Sequence, residues 1–203
     1  MPKKAHQLHV THGILSYATM QRTALLRMDL MFSELIEYDM ATLRPWLPDE
    51  VENILDIGAG LAAIDVRLYE VYPDAYFYLL DKPGFDARYG LETVGVFYTS
   101  FAQANMLLRK NGVPPKQYEF VEAQEDYSIE VEGIDFCLSL FSWGWHYPLG
   151  AYVDAVAQAV VEGGTLILDV RNREGEEDLL DYFAKLGSIP LFDGHREVYR
   201  RVY

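Results

Sequence analysis

A glycine-bearing turn and a distant aspartate are the residues of this sequence best suited to bind a nucleotide. Gly58 and Gly60, with Ala63 in the third position, fit the pattern G-x-G-x-x-A directly after an apolar run. Glycines at such a turn let a ligand approach the backbone, and the following helix presents free N–H groups. Asp81 lies 21 residues beyond Gly60, where a carboxylate can accept both hydroxyls of a ribose. Together these residues predict a site for a cofactor that contains adenosine.

Asp56 distinguishes between two kinds of cofactor. In a dinucleotide-binding strand the residue two before the first glycine points into the core and is normally apolar, whereas this sequence has a carboxylate there. A buried carboxylate needs partners. A cofactor with a cationic amino-acid tail, lying over the loop, would supply one to Asp56, either directly or through the N–H groups of the loop.

An aromatic segment, FSWGWHYP at 141–148, is the second place where the sequence indicates chemistry. Trp143, Trp145 and Tyr147 could stack on a planar or sugar substrate, or enclose a cation. An imidazole titrates near neutral pH, so His146 could take a proton from a hydroxyl group. In the alternative interpretation the tryptophans are core packing and His146 is only hydrogen-bonded. The sequence alone leaves both interpretations open.

Strands that alternate with helices must position these segments. Apolar runs predict strands over 53–57, 75–81, 118–121, 134–140 and 165–170, and a closing hairpin of 188–192 and 196–203. Helices are predicted over 16–44, 61–72, 98–111, 149–161 and 175–186. This order predicts an α/β fold, in which helices cover both faces of a mostly parallel sheet and the hairpin adds an antiparallel edge. Ligands of such sheets lie beyond the carboxyl ends of the strands, where the strand order reverses.

Four blocks of the sequence, taken in order, resemble the class I S-adenosylmethionine-dependent methyltransferases. The blocks are VENILDIGAG (51–60), LLD (79–81), IDFCLSL (134–140) and GGTLIL (163–168). The resemblance covers the chain from residue 50 to its end and implies a Rossmann-like, seven-stranded sheet with a reversed last hairpin. One departure is Ala62, where many members have another glycine. Alanine is small enough for close helix packing there.

The resemblance also implies which residues contact the cofactor, S-adenosyl-L-methionine. They are Asp56, Gly58, Ala59 and Gly60 under the methionine part, Asp81 and Lys82 at the ribose, Gln124 or Glu125 at the adenine amino group, and Ser139 and Leu140 beside the methionine and the transferred methyl. The implied activity is methyl transfer.

The aromatic segment is similar to that of sugar and small-molecule O-methyltransferases, so we expect a small-molecule hydroxyl as the acceptor and His146 as the base. Trp143, Trp145, Tyr147 and Asp169 would contact this substrate, although Asp169 could equally be a solvated strand end. Two alternatives stay open. One is a non-catalytic, cofactor-binding partner subunit. The other is an NAD-dependent oxidoreductase, which Asp56 and the short chain disfavour.

The amino-acid composition of the chain limits the classes of partner and the location that we expect for it. The 203 residues carry 17 Lys and Arg against 31 Asp and Glu, a net charge of −14, which disfavours nucleic acid as a partner. The single cysteine, Cys137, excludes a disulfide framework, and its mid-strand position indicates packing. With no apolar run long enough to span a bilayer and no signal-peptide core, we expect a cytoplasmic protein. His6, His9 and His12 could bind a metal, but a polar terminal segment without metal is the favoured interpretation.

The predicted domains are an N-terminal helical extension, 1–48, and a cofactor-binding domain, 49–203. The extension could cover the active site as a lid or form the contact of a homodimer, and its pattern does not decide between these.

Overall fold

A seven-stranded sheet forms the centre of the computed structural model, which describes residues 32–86, 97–171 and 173–203. In chain order its strands are β1 (Asn53–Ile57), β2 (Tyr76–Asp81), β5 (Tyr118–Glu122), β6 (Ile134–Ser139), β7 (Val160–Val170), β8 (Phe183–Leu191) and β9 (Gly194–Arg201). Their spatial order is β5-β2-β1-β6-β7-β9-β8. A separate two-stranded ribbon pairs β3 (Gly84–Asp86) with β4 (Phe97–Thr99).

The sheet is parallel from β5 to β7, and only β9 runs against its neighbours. Because β9 lies between β7 and β8, the reversed strand is one position inside the sheet, and β8 forms the edge. The predicted antiparallel hairpin at the edge of the sheet is confirmed. Burial explains the order within it: four consecutive residues of β9, Arg196–Tyr199, are buried, and such a strand needs a neighbour on both sides.

The helices cover both faces of the sheet. They are α1 (Phe32–Leu43), α2 (Ala63–Val71), α3 (Phe101–Lys110), α4 (Val153–Ala159) and α5 (Glu176–Leu180), with 3₁₀ turns at Arg44–Trp46, Pro115–Gln117 and Leu149–Ala151. Successive strand residues point to opposite faces, so Ile54 packs with α1, α2 and α3, while Leu55 and Ile57 pack with α4 and α5. No helix among residues 32–86, 97–171 and 173–203 is long and apolar enough to cross a membrane.

Three predicted helices end elsewhere in the structure. The described part of the N-terminal helix ends at Leu43, and its earlier residues, with His6, His9 and His12, lie outside the described ranges. The helix predicted over 149–161 covers only Val153–Ala159 in the structure, because β7 already begins at Val160. The helix predicted over 175–186 ends at Leu180, since the chain from Phe183 pairs with β9.

Candidate active site

The strand order reverses at β1, which has β2 on one side and β6 on the other. The connections that leave β1 and β6 therefore diverge, and a crevice opens beyond the carboxyl ends of these strands. The two motifs that the sequence singled out, the glycine turn and the aromatic segment, follow β1 and β6 respectively. The fold thus brings together residues that are about 85 positions apart in the chain.

Asp81 holds the glycine turn in place. Its Oδ2 accepts a hydrogen bond from the backbone N–H of Gly60 at 2.7 Å, and its Oδ1 accepts one from Lys82 N–H at 2.7 Å. The backbone N–H groups of Gly58 and Ala59 both donate to Leu80 O, at 2.7 and 3.1 Å. The end of β2 therefore fixes the turn after β1, and the carboxylate predicted for the ribose lies against the turn predicted for the methionine.

Gly58 and Gly60 have different surroundings. Gly58 has φ +83°, and a Cβ built on it would overlap the side chain of Ser142, so the aromatic segment packs directly on this glycine. At Gly60, φ is +58° and a Cβ would meet only Gly58 O, at 3.9 Å. The turn is thus closed at Gly58 and open at Gly60. The open glycine leaves space, and the buried carboxylate beside it offers an acceptor, which together fit an adenosyl cofactor.

Ser139 connects the ends of the two central strands. It is fully buried, donates from Oγ to Ile57 O at 2.8 Å and accepts from Trp143 N–H at 2.9 Å. Leu140 follows it and is 9% exposed. These bonds fix the start of the aromatic segment relative to β1. Phe141, the next residue, has φ +56°, a conformation that a bulky side chain rarely adopts and that turns the chain sharply.

Trp143 and Trp145 are both fully buried. Trp143 donates from Nε1 to Leu149 O at 2.6 Å. The Trp145 ring packs edge-on against Phe141 at 4.9 Å, and the Arg171 guanidinium lies 5.0 Å from its centroid. Rings buried this completely fit the packing alternative. Contact of Trp143 or Trp145 with a substrate stays a prediction.

His146 lies in the turn that packs on the glycine loop. Its backbone N–H donates to Ser142 O at 2.8 Å, which places it one turn from the residue that covers Gly58. Its side chain is 2% exposed, so only a small substrate group could reach it from the crevice. Ser142 thus links His146 to the glycine turn in space, and the role of His146 as a base stays a prediction.

Three tyrosines beside Asp81 were not predicted as a group. The ring of Tyr127 lies 6.1 Å from that of Tyr147 and 5.1 Å from that of Tyr152. Burial raises the pKa of Tyr152, and the neighbouring Tyr147, Tyr127 and Asp81 raise it further. Only Tyr147 was expected at the substrate. The richness of the sequence in tyrosine, with 15 residues, was the available signal, but spacing along the chain did not show that these three meet.

The remaining predicted cofactor contacts are at the surface. Lys82, Gln124 and Glu125 are exposed at the carboxyl ends of β2 and β5. Gln124 donates from Nε2 to Glu122 O at 2.8 Å. Asp126 accepts from the N–H and the hydroxyl of Ser128, which lowers the pKa of its carboxyl and closes the turn. The side chains of Lys82, Gln124 and Glu125 are therefore open to a ligand in the crevice.

Asp169 is not a solvated strand end, because it is fully buried. Arg196 donates to both of its oxygens, at 2.6 and 2.9 Å, and also to Asp39 Oδ1 at 3.0 Å. Burial acts against the charge on Arg196, but the two carboxylates outweigh it and raise the pKa of Arg196. Asp169 thus faces a counter-charge from β9. Sequence reasoning missed this partner because Arg196 is distant in the chain and arginine is rarely buried.

A cavity of about 550 Å³ lies at the opposite end of the sheet. Its walls include Trp46, Asp135 and Gly163, near the amino ends of β6 and β7. None of the predicted site residues lines it. Within the described part of the chain, no group of three or more His, Cys, Asp or Glu side chains could hold a metal ion.

Comparison with solved structures finds this fold in methyltransferases. An S-adenosylmethionine-dependent methyltransferase from Aquifex aeolicus matches with a TM-score of 0.63 at 14% identity, over 91% of this chain and 98% of that one. The mitomycin 7-O-methyltransferase MmcR matches with a TM-score of 0.62 at 15% identity, over 84% of this chain and 55% of its own. The S-adenosylmethionine-dependent methyltransferase SibL gives 0.58 at 13%, over 85% and 58%. The sequence matches no protein-family model and no curated protein.

The chain spans little more than half the length of MmcR and SibL, and nearly all of the Aquifex protein. The predicted Rossmann-like fold, with its seven-stranded sheet and C-terminal hairpin, is confirmed. At these identities the likeness shows the fold.

Proposed function

We propose that this protein binds S-adenosyl-L-methionine and transfers its methyl group to a hydroxyl of a small molecule. The observation that carries the proposal is Asp81. Its carboxylate is hydrogen-bonded to the glycine turn, at the point where the strand order of a methyltransferase fold reverses. The names of the structural neighbours support the same cofactor, and one of them is a 7-O-methyltransferase.

The cofactor would lie across the carboxyl ends of β1, β2 and β5. Gly60 leaves room for it, Asp81 accepts from the ribose hydroxyls, and Lys82 flanks that contact. Gln124 or Glu125, exposed after β5, would meet the adenine amino group. On the other side, the methionine part would lie over the turn of Asp56, Gly58 and Ala59, bordered by Ser139 and Leu140. When bound, the cofactor supplies an electrophilic methyl group on a sulfonium.

The protein contributes mainly by position and by excluding water. In this proposal His146 accepts the proton of the acceptor hydroxyl, because it is the one imidazole in the segment that packs on the glycine loop. Tyr147 is half-buried and remains the aromatic side chain of the segment that a substrate can contact. The net charge of −14 favours a small acceptor over a polyanion. The cytoplasmic location and a homodimer stay proposals.

The test of this activity is formation of S-adenosylhomocysteine in the presence of a panel of hydroxylated small molecules, with His146→Ala as the decisive variant. We expect this variant to lower kcat by about 10²–10⁴-fold, the usual contribution of a general base, while cofactor affinity changes little. His195→Ala, which removes an imidazole from β9, is the matched control and should resemble the unmodified protein. Equal loss of turnover and affinity would remove His146 from the base role. Cofactor binding without turnover on any acceptor would favour the non-catalytic partner subunit.

A further inference from the structure

Two buried carboxyl groups face each other beneath the glycine turn. Asp56 is the fourth residue of β1, immediately before the turn, and Asp65 is the third residue of α2, immediately after it. They are 3% and 1% exposed. The carboxyl group of Asp65 lies within interaction range of that of Asp56. The strand and the helix that flank the candidate cofactor loop are therefore joined by an acid–acid contact.

This contact requires a proton. Both carboxylate oxygens of Asp65 are buried, and among the described residues no donor group is in hydrogen-bond geometry with either of them. The neighbouring side chain is the carboxyl of Asp56. Two ionised carboxylates cannot hydrogen-bond to each other, and a buried pair therefore shares one proton. Burial raises the pKa of Asp65 to about 7, against the smaller, lowering influence of the neighbouring Asp56 carboxyl.

A thiol and several charged groups surround the pair. Burial raises the pKa of Cys137, on the neighbouring strand β6, and the negative charge of Asp56 raises it further. The other charged groups on the elements around the pair have partners or lie at helix ends. They are Asp39 of α1 with Arg196, Arg67 of α2 with Glu37 and Glu70, Asp81 with the glycine turn, and Arg109 and Lys110 in the last turn of α3. None of the cationic groups among them acts on the Asp65 carboxyl.

We propose that Asp56 and Asp65 are a positioning pair that holds one proton between its two carboxyl groups, and that binding of the cofactor's ammonium group over the loop releases this proton to solvent. The inference rests on the proposed function. Before binding, the pair carries one proton and one negative charge. On binding, the O–H bond within the pair breaks, the proton passes to solvent water, and the pair carries two negative charges opposite the ligand cation. Cofactor affinity then rises with pH through the range in which the free pair titrates.

The test is calorimetric titration of the full chain with S-adenosylhomocysteine, which has the ammonium group and a neutral sulfur. At pH 6.5, titrations in two buffers of different ionisation enthalpy count the protons released. We expect a substantial fraction of one proton, and a roughly 10-fold rise in affinity between pH 5.5 and 8.0, equivalent to a pKa that falls by about one on binding. Methylthioadenosine has no amino-acid tail and should show neither effect.

Two variants separate the pair from other titrating groups. Asp65→Asn keeps the shape and can donate from its amide to Asp56, so it should bind without proton release and with nearly constant affinity across this range. Asp74→Asn removes an exposed carboxylate just after the same helix and should behave like the unmodified protein. Proton release that persists in Asp65→Asn, or pH-independent binding by the unmodified protein, would overturn the inference while the proposed function stands. If S-adenosylhomocysteine binds at no pH, both fail.

Discussion

Asp81 connects the backbone of the glycine turn with the position expected for a ribose. Replacing it with alanine removes a buried acceptor from Gly60 N–H and Lys82 N–H as well as from the ligand. Hydrogen bonds to charged groups contribute about 1.5–3 kcal/mol each, so we expect Asp81→Ala to weaken S-adenosylmethionine binding by at least roughly 10-fold. Glu122→Gln, an exposed carboxylate at the end of the adjacent strand, is the control in the same titration. Unchanged affinity in Asp81→Ala would refute the ribose assignment.

The raised pKa of Asp65 predicts that the stability of the fold depends on pH in an unusual direction. Its pKa in the folded protein, about 7, lies above the ordinary value of 3.8. The folded state therefore holds this proton more tightly than the unfolded chain, and stability falls as pH rises from about 4 to about 7. Asp65→Asn removes this dependence and should be more stable than the unmodified protein at pH 8, by up to about 4 kcal/mol. Urea denaturation at pH 4.5 and pH 8 measures it. An Asp65→Asn protein that is less stable at pH 8 would contradict the assignment.

Sequence reasoning identified residues that form a local pattern and missed contacts between residues that are distant in the chain. The glycine turn and Asp81 form a recognisable motif because their spacing is set by one strand–helix–strand unit. Asp65 was overlooked because nothing in the sequence shows which face of α2 meets β1. The aromatic segment was singled out by its composition. Its packing stayed open, because sequence shows neither the burial of Trp143 and Trp145 nor the left-handed conformation of Phe141.

At the scale of elements, α1 is joined to the far half of the sheet by Arg196. Arg196→Met would leave Asp169 and Asp39 buried without their counter-charge. Breaking a buried ion pair by removing one partner costs about 3–5 kcal/mol, and we expect this loss in urea denaturation. Arg200→Met replaces an exposed arginine of the same strand and should cost under about 1 kcal/mol. Equal stability of the two variants would show that the Arg196 network does not hold α1.

The boundaries of elements were predicted best where strands are buried on both faces. The strand predicted over 53–57 has the bounds of β1, and 75–81 differs from β2 by one residue. Strand β8 was partly predicted as helix because it is an edge strand with alternating buried and exposed residues. An alternating pattern over so few residues does not distinguish a strand from a helix until the pairing with β9 is known. The division at residue 48 stays a prediction, although Leu35, Met40 and Leu43 of α1 pack in the same core as α2 and β1.

For the molecule as a whole, the central claim is that a methyltransferase fold with an intact glycine turn binds S-adenosylmethionine. The most direct measurement is calorimetric titration of the full chain with S-adenosylmethionine and, separately, with S-adenosylhomocysteine. We predict binding of both with dissociation constants on the order of micromolar, equivalent to about −8 kcal/mol, and no binding of NADH. Failure of both adenosyl ligands to bind a protein shown to be folded by circular dichroism would contradict the claim, and binding of NADH instead would favour the oxidoreductase.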